Sequence, residues 1–595
     1  MIITAIISAI SSPRSLRESS VPAGTIRDLP SIGLRFRVLP ARTFIRRSRL
    51  SFEFSFTANY TVKRNSPGCI VPTKPHRSGV PTLPSATPLP SQEPTYDLLI
   101  VGGGINGAGI ARDAAGRGLS VLLVEQDDLA SYTSSSSTKL IHGGLRYLEY
   151  YEFRLVREAL IERERLLSMA PHIIWPLRFV LPQSQSPRPA WMVRLGLFLY
   201  DHIGGRKTLP GTETINLDTA PQGRGLSPLA NTSKGKGKGK AFVYSDCWVE
   251  DSRLVVLNAM DAAARGARIE TRTRLTGATS ENGSWTAQIE GPDGARDVRA
   301  KMLVNAAGPW VDKVLQRLGR AKNDRGVRLV KGSHIVVPKL YEGDHAFMLQ
   351  NPDRRIVFAI PYERDFTLIG TTDEPWTQEP GKAEISEAET AYLCETANRY
   401  FDRTIAPADI AWSYAGIRPL YDDHAANASA VTRDYVLDFD RPDSGAPMLS
   451  IFGGKITTFR KLAEHALEHI AHVFPQAKTA WTGGAVLPGG EIPDGDFARF
   501  VQDLARRFPQ MPGALLHRLA RAYGTCAETI LSGTQAPADL GEDFGGGLHA
   551  AEVDYLVAHE WARSAEDILY RRSKLGLHVP EGTAAKLDSY LSQGA

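Results

Sequence analysis

A chain of 595 residues is too long for one ordinary domain, and its 42% hydrophobic and 23% charged residues exclude a disordered or fibrous protein. The net charge of +5 does not mark a nucleic-acid binder: residues 1–94 hold eleven Arg and two Lys against four acidic side chains, a net +9, leaving −4 on the remaining 501 residues. Cys69, Cys247, Cys394 and Cys526 lie far apart with no CxxC pair, so no metal site is expected and a reducing compartment fits best.

Residues 1–94 are basic, Ser-rich and broken by proline, which predicts a disordered leader or a targeting segment outside the fold. No stretch reaches the 18 or so continuous apolar residues of a spanning helix. The Pro-rich residues 72–94 read as a linker. Two folded regions are expected beyond it, a nucleotide-binding domain with an interleaved cap over 95–475 and a helical domain over 476–595.

Residues 96–101 form a short apolar run suited to a buried parallel strand, followed by Gly102-Gly-Gly-Ile-Asn-Gly107 and a helix over 105–118. A second strand over 119–125 ends on Glu125. This is the dinucleotide-binding arrangement. Gly102 permits the tight turn, Gly104 lets the backbone approach a pyrophosphate, and Gly107 lets helix and strand pack closely. The phosphates then face the unpaired N–H groups and positive pole of the helix, with Asn106 in its first turn. Glu125 is placed for the ribose hydroxyls and would repel an extra 2′-phosphate. A second small-residue strand end, Leu303-Val-Asn-Ala-Ala-Gly308, brings another backbone segment to the nucleotide, as in two-segment flavoproteins. The cofactor expected from these features is FAD.

Further along, residues 154–169 carry helical periodicity, with Leu155, Leu160, Leu166 and Leu167 for one face. The apolar residues 191–200 read mainly as a buried cap helix, with a membrane-surface patch as the alternative. Residues 209–240 read as a surface loop whose Lys/Gly run, 234–240, is solvated. Strand-like runs fall at 301–306, 333–337, 355–360 and 366–370. Val553, Leu556, Val557, Trp561, Ala565, Ile568 and Leu569 predict one amphipathic helix near the C-terminus.

Five segments occur in a fixed order: Ser134-Ser-Ser-Ser-Thr-Lys-Leu-Ile-His142-Gly-Gly-Leu-Arg-Tyr147, Lys331-Gly-Ser-His334, Gly370-Thr-Thr-Asp373, Gly416-Ile-Arg418-Pro-Leu and Phe452-Gly-Gly-Lys455. Over residues 95–595 the chain resembles the FAD-dependent, quinone-linked glycerol-3-phosphate dehydrogenases. The resemblance implies an α/β fold: a doubly wound FAD domain, an interleaved β-sheet substrate cap and a C-terminal helical domain. It implies oxidation of sn-glycerol 3-phosphate at C2, with electrons passed from FAD to a membrane quinone in glycerol catabolism and respiration. A homodimer held peripherally at the cytoplasmic face of a bacterial inner membrane is expected. A genuine transit peptide would place it at the mitochondrial inner membrane instead.

That chemistry needs a cationic phosphate pocket, for which Arg418, Arg433, Lys455 and Arg146 are the candidates, with Tyr147 beside them. It also needs a proton acceptor. His334 is the candidate, with Arg418 a weak rival because arginine hardly ever deprotonates. Ser136, Thr138 and His142 are assigned to the flavin side, as are Gly308, Gly454 and Lys455. Two other classes stay open here: an amine or hydroxy-acid oxidase of the same flavoprotein type, and a nucleic-acid-binding protein. The several phosphate-capable cations weigh against the first, and the −4 body charge against the second.

Overall fold

Thr95–Val101 is apolar along most of its length because both its faces are covered. Leu98 and Ile100 point into one core, while Leu99 and Val101 point into another, the two-residue alternation of a strand buried on both sides. This chain is described here by a computed structural model covering residues 94–184, 186–232, 235–321, 326–422, 434–443 and 445–593.

Thr95–Val101 lies at the centre of five parallel strands, in the order Arg268–Glu270, Val121–Val124, Thr95–Val101, Gly294–Asn305, Met448–Phe452. Helices Ile105–Gly116, Asp251–Ala264 and Phe459–His469 cover one face. The opposite face is closed by the antiparallel strands Arg274–Glu281 and Ser284–Gly291 and by helix Val311–Arg317. Trp285 is buried between these layers and donates from its indole N–H to Pro447 O at 2.9 Å.

The cap is a ten-stranded mixed sheet drawn from both sides of this domain in sequence, which is what makes it interleaved. Ile174–Pro182 and Lys240–Val249 pair antiparallel at one end, and Val327–Pro338 pairs with both Phe366–Gly370 and Trp412–Tyr421 at the other. Two readings of this region are corrected. Within 209–240, read as a loop, Glu213–Asn216 is a strand hydrogen-bonded to Lys240–Val249. Its polar sequence hid it, because an edge strand need bury little. Helix Ala190–Ile203 is not a buried helix: Val193, Leu197 and Tyr200 face the core, whereas Trp191 (70% exposed), Met192, Leu195 and Phe198 face outward.

The C-terminal helices Phe497–Arg507, Gly513–Tyr523, Ala550–Glu560 and Thr583–Gln593 enclose their own apolar core around Leu504, Leu516, Leu519, Val553, Leu556 and Leu587. The single helix expected from Val553 to Leu569 is instead broken at Trp561, which adopts φ +58°. Ala562 N–H closes the turn on Leu556 O at 3.2 Å. The chain then re-enters a π-helical turn, Asp567–Arg572. Side-chain periodicity survives the break, so Ile568 and Leu569 still reach the core.

This domain docks on helix Asp251–Ala264 through Arg253, whose guanidinium Nη1 and Nη2 both donate to the Glu560 carboxylate, the latter bond at 3.0 Å. Both side chains are buried. Glu560→Ala therefore strands a buried cation, and a loss of about 3–5 kcal/mol is expected, read as a lower urea midpoint. An unchanged midpoint contradicts the pairing.

Candidate active site

The nucleotide cleft opens where the strand Thr95–Val101 turns into its helix. Gly102 takes φ +112° there, and a Cβ on it would sit 2.5 Å from Ala306 O in the second small-residue turn. Gly107 packs the helix directly on the turn: a Cβ there would lie 1.9 Å from Gly102 O. No other residue type allows that approach. At the helix N-terminus the Ile105 N–H donates to Ser134 Oγ at 3.0 Å, a contact that the sequence reading missed because Ser134 lies 29 residues away. Asn106 Nδ2 donates to Gly453 O at 3.1 Å, tying the turn after Met448–Phe452 to the same place, while its Oδ1 has no partner among the described residues.

Glu125 directly follows the strand Val121–Val124, one residue past its end, and lines the cleft. Its Oε2 accepts from Gly103 N–H at 2.6 Å and its Oε1 from Asp127 N–H at 3.0 Å. Burial pushes its pKa up to about 7 against the pull of those two bonds. The cleft's other walls include residues 130–134, Thr273, Leu275, and the turn Ala306, Ala307, Gly308. The donor set fits FAD: a strand–turn–helix with its positive pole open, two backbone segments meeting at glycines, and a carboxylate at the ribose end.

A second cavity continues from the first, sharing Ile105, Thr133, Ser134, Pro419, Gly453 and Gly454 with it. Into it the cap and the FAD domain bring Ser136, Thr138, His142, Arg146, Tyr147, His334, Arg418 and Lys455 together. Arg433 lies outside the described residues. Gly104 and Gly308 line the first cavity.

His334 is carried on Val327–Pro338, opposite Gly370 on one neighbour and Tyr414 on the other. Its ring stacks on Tyr414 (centroids 4.8 Å apart, planes at 15°), and its Nε2 lies 2.9 Å from Thr138 Oγ1. Nδ1 has no partner among the described residues. Burial, with Lys139 and Arg418 nearby, holds the imidazole well below its ordinary pKa, so it is neutral at physiological pH. His142 is likewise held down to about 4, first by burial and then by Lys455 and Arg163.

The cations differ in how they are held. Arg418 Nη2 donates to Thr372 O at 2.6 Å, and Nη1 pairs with Asp373 Oδ1 at 2.9 Å. Lys455 Nζ sits 3.7 Å over the Tyr147 ring. Arg146 Nη2 donates to Tyr150 Oη at 3.5 Å, and its Nε is without a partner among the described residues. Asp373 and Tyr414 carry no role in the sequence reading. Asp373 closes the Gly370-Thr-Thr-Asp373 segment, so the sequence does carry its signal; nothing local marks Tyr414, whose part comes from strand register. Among the described residues no group of His, Cys, Asp and Glu side chains is placed to hold a metal.

This fold and site define a flavin-dependent oxidoreductase, and comparison with known proteins agrees. The family model described as FAD dependent oxidoreductase matches residues 97–460, and that of the C-terminal domain of alpha-glycerophosphate oxidase matches 480–589. The chain is 54% identical over 493 residues to D-erythritol 1-phosphate dehydrogenase of Brucella abortus, covering 82% of this chain and 96% of the relative. It is 54% identical over 506 residues to glycerol-3-phosphate dehydrogenase of Pseudomonas aeruginosa, covering 85% and 96%. The FAD-complexed glycerol-3-phosphate dehydrogenase of Bacillus halodurans superposes with a TM-score of 0.65 at 27% identity, over 84% of this chain and 89% of that one. The chain belongs to the FAD-dependent glycerol-3-phosphate dehydrogenase family, and its cofactor is FAD.

Proposed function

We propose that this protein oxidises sn-glycerol 3-phosphate at C2 to dihydroxyacetone phosphate and passes the electrons to a membrane quinone. The observation that carries this reading is the second cavity, where a neutral histidine and three cations meet beside the turn that also bounds the nucleotide cleft. Gly102, Gly104, Asn106 and Gly107 hold the FAD pyrophosphate, and Glu125 the adenosine ribose. Ser136, Thr138, His142, Gly308, Gly454 and Lys455 bound its remaining length. When bound, FAD supplies the acceptor for the C2 hydride.

Arg418, Arg146 and Lys455 neutralise the phosphate dianion, Arg418 as a planar fork and Lys455 as a point charge. Asp373 orients the Arg418 guanidinium before substrate arrives. With Nε2–H donating to Thr138 Oγ1, His334 presents the Nδ1 lone pair to the C2 hydroxyl and takes its proton. Stacking on Tyr414 fixes the ring plane for that transfer.

Among the described residues no helix is long and apolar enough to cross a membrane. Among the described residues seven large hydrophobic side chains are exposed, and six of them are Tyr150, Tyr151, Trp191, Met192, Leu195 and Phe198. They belong to Ala190–Ile203 and the adjoining turn Leu145–Tyr150, with Tyr151 next to it. Tyr150 also lines the substrate cavity. This surface supports peripheral attachment at the cytoplasmic face of a bacterial inner membrane, with quinone drawn from the bilayer beside the cavity. A second reading has the same site taking the longer polyol phosphate named for the Brucella relative. The ratio of kcat/KM for glycerol 3-phosphate and D-erythritol 1-phosphate separates the two.

Arg418→Ala is expected to raise KM for glycerol 3-phosphate by about ten- to a hundredfold, the loss of one or two charge-assisted bonds. Steady-state kinetics with an unchanged KM would remove Arg418 from the phosphate site. His334→Ala is expected to keep FAD but slow its reduction by about 10²–10⁴-fold in stopped flow; reduction at the wild-type rate excludes it as the base. Replacing Trp191, Leu195 and Phe198 together by Asp should abolish liposome flotation while sparing dye-linked activity. Leu197 is fully buried and is left in place. Unchanged flotation would show that the membrane contact lies elsewhere.

A further inference from the structure

The π-helical turn Asp567–Arg572 and the two residues after it touch three separate segments that wall the cofactor cavities. The first is the stretch after Glu125. Asp128, 2% exposed, accepts from Arg571 Nε at 2.8 Å, and from Arg572 Nη1 and Nη2 at 2.8 and 2.7 Å. Asp128 in turn closes a turn with Ser131, its backbone N–H donating to Ser131 Oγ and its carbonyl accepting from that hydroxyl. Ser131 and the residues on to Ser134 line the nucleotide cleft.

The second segment follows Glu270. Arg272 Nη2 donates to Asp567 Oδ2 at 2.6 Å. The Arg272 and Thr273 backbone N–H groups donate to Asp127 O and Glu125 O, each at 2.7 Å, so this strand exit is laced to the first segment. Thr273 and Leu275 line the cleft. The third is the Ser-rich turn. Lys574 Nζ lies 3.5 Å from Asp251 Oδ1, the carboxylate that also binds Lys139 at 2.9 Å and accepts from Ser137 Oγ at 2.8 Å. Lys139 Nζ reaches back to Ser135 O at 3.0 Å. All of Asp128, Lys139, Asp251, Arg571, Arg572 and Lys574 are buried.

Buried ion pairs of this kind add little net stability over apolar packing, but each leaves a stranded charge if its partner moves. They therefore fix position rather than add strength. Loops that wall a ligand site must be ordered when the ligand binds, and ordering them beforehand removes that entropic cost from the binding step. We infer that residues 567–574 are a latch by which the C-terminal helical domain preorganises the FAD cleft, making that domain a determinant of cofactor retention. Arg272, Arg571, Arg572 and Lys574 are positioning residues in this scheme, and none is assigned a contact with FAD or substrate. The inference rests on the placement of FAD in the cleft proposed above.

The test is FAD dissociation from the purified holoprotein, read as flavin fluorescence on dilution, beside a urea midpoint. Arg572→Gln is expected to weaken FAD binding by about tenfold or more, and Arg272→Gln by about threefold, with Arg272→Lys recovering most of the loss. Arg272 is 30% exposed and leaves Asp567 paired with Arg571, so its variant decides the matter if Arg572→Gln does not fold. FAD affinity within about twofold of wild type, with only the urea midpoint lowered, would overturn the latch and leave a merely structural contact. Gly107→Val is the control for placement. If it retains FAD normally, the cleft is not the FAD site; if it alone loses FAD, the placement stands and the latch fails.

Discussion

The close contact between Gly107 and Gly102 is the constraint on which the site depends. It sets helix Ile105–Gly116 hard against its strand and aims the helix's positive pole into the cleft. Asn106, carried in the first helical turn, then reaches Gly453 and ties the last parallel strand's exit to the same point. That shared turn is where the nucleotide cleft meets the second cavity, so the glycine contact bears on both.

Charge is handled differently on the two sides of that turn. Beside the nucleotide cleft buried charge is paired, as at Asp128 with Arg571 and Arg572, and it holds a loop in register. On the substrate side the groups are incompletely satisfied within the protein: Arg146 Nε and His334 Nδ1 lack partners among the described residues. Unsatisfied donors and acceptors in a buried cavity are costly to maintain, which is the mark of groups kept for a ligand. The low pKa of His334 follows first from its burial and then from Lys139 and Arg418 beside it.

Much of this was legible in the sequence because it is local. Gly102, Gly104, Gly107 and Glu125 lie within one βαβ unit, and their spacing alone sets their geometry. The Ser134–Tyr147 stretch and the His334, Arg418 and Lys455 motifs were recognisable as a set, and the cap does bring them to one cavity. What escaped depends on pairing between distant segments. The stack of Tyr414 on His334 follows from strand register, and the bond from Ser134 to Ile105 from how a loop returns. The break at Trp561 escaped because a π-helical turn restores the apolar phase after it, leaving the periodicity continuous while the backbone is not. For Ala190–Ile203 the sequence carried both a buried helix and an exposed apolar face, and favoured the first, because apolar residues predict burial unless a second phase, such as a membrane, takes its place.

If the cation-lined cavity delivers glycerol 3-phosphate to the bound flavin, the substrate alone reduces the cofactor. Anaerobic titration of the purified holoprotein with sn-glycerol 3-phosphate tests it most directly. Bleaching of the oxidised flavin absorbance, without oxygen or added acceptor, is the predicted result. A flavin that stays oxidised under glycerol 3-phosphate, yet is bleached by an amino acid or a hydroxy acid, would contradict the account.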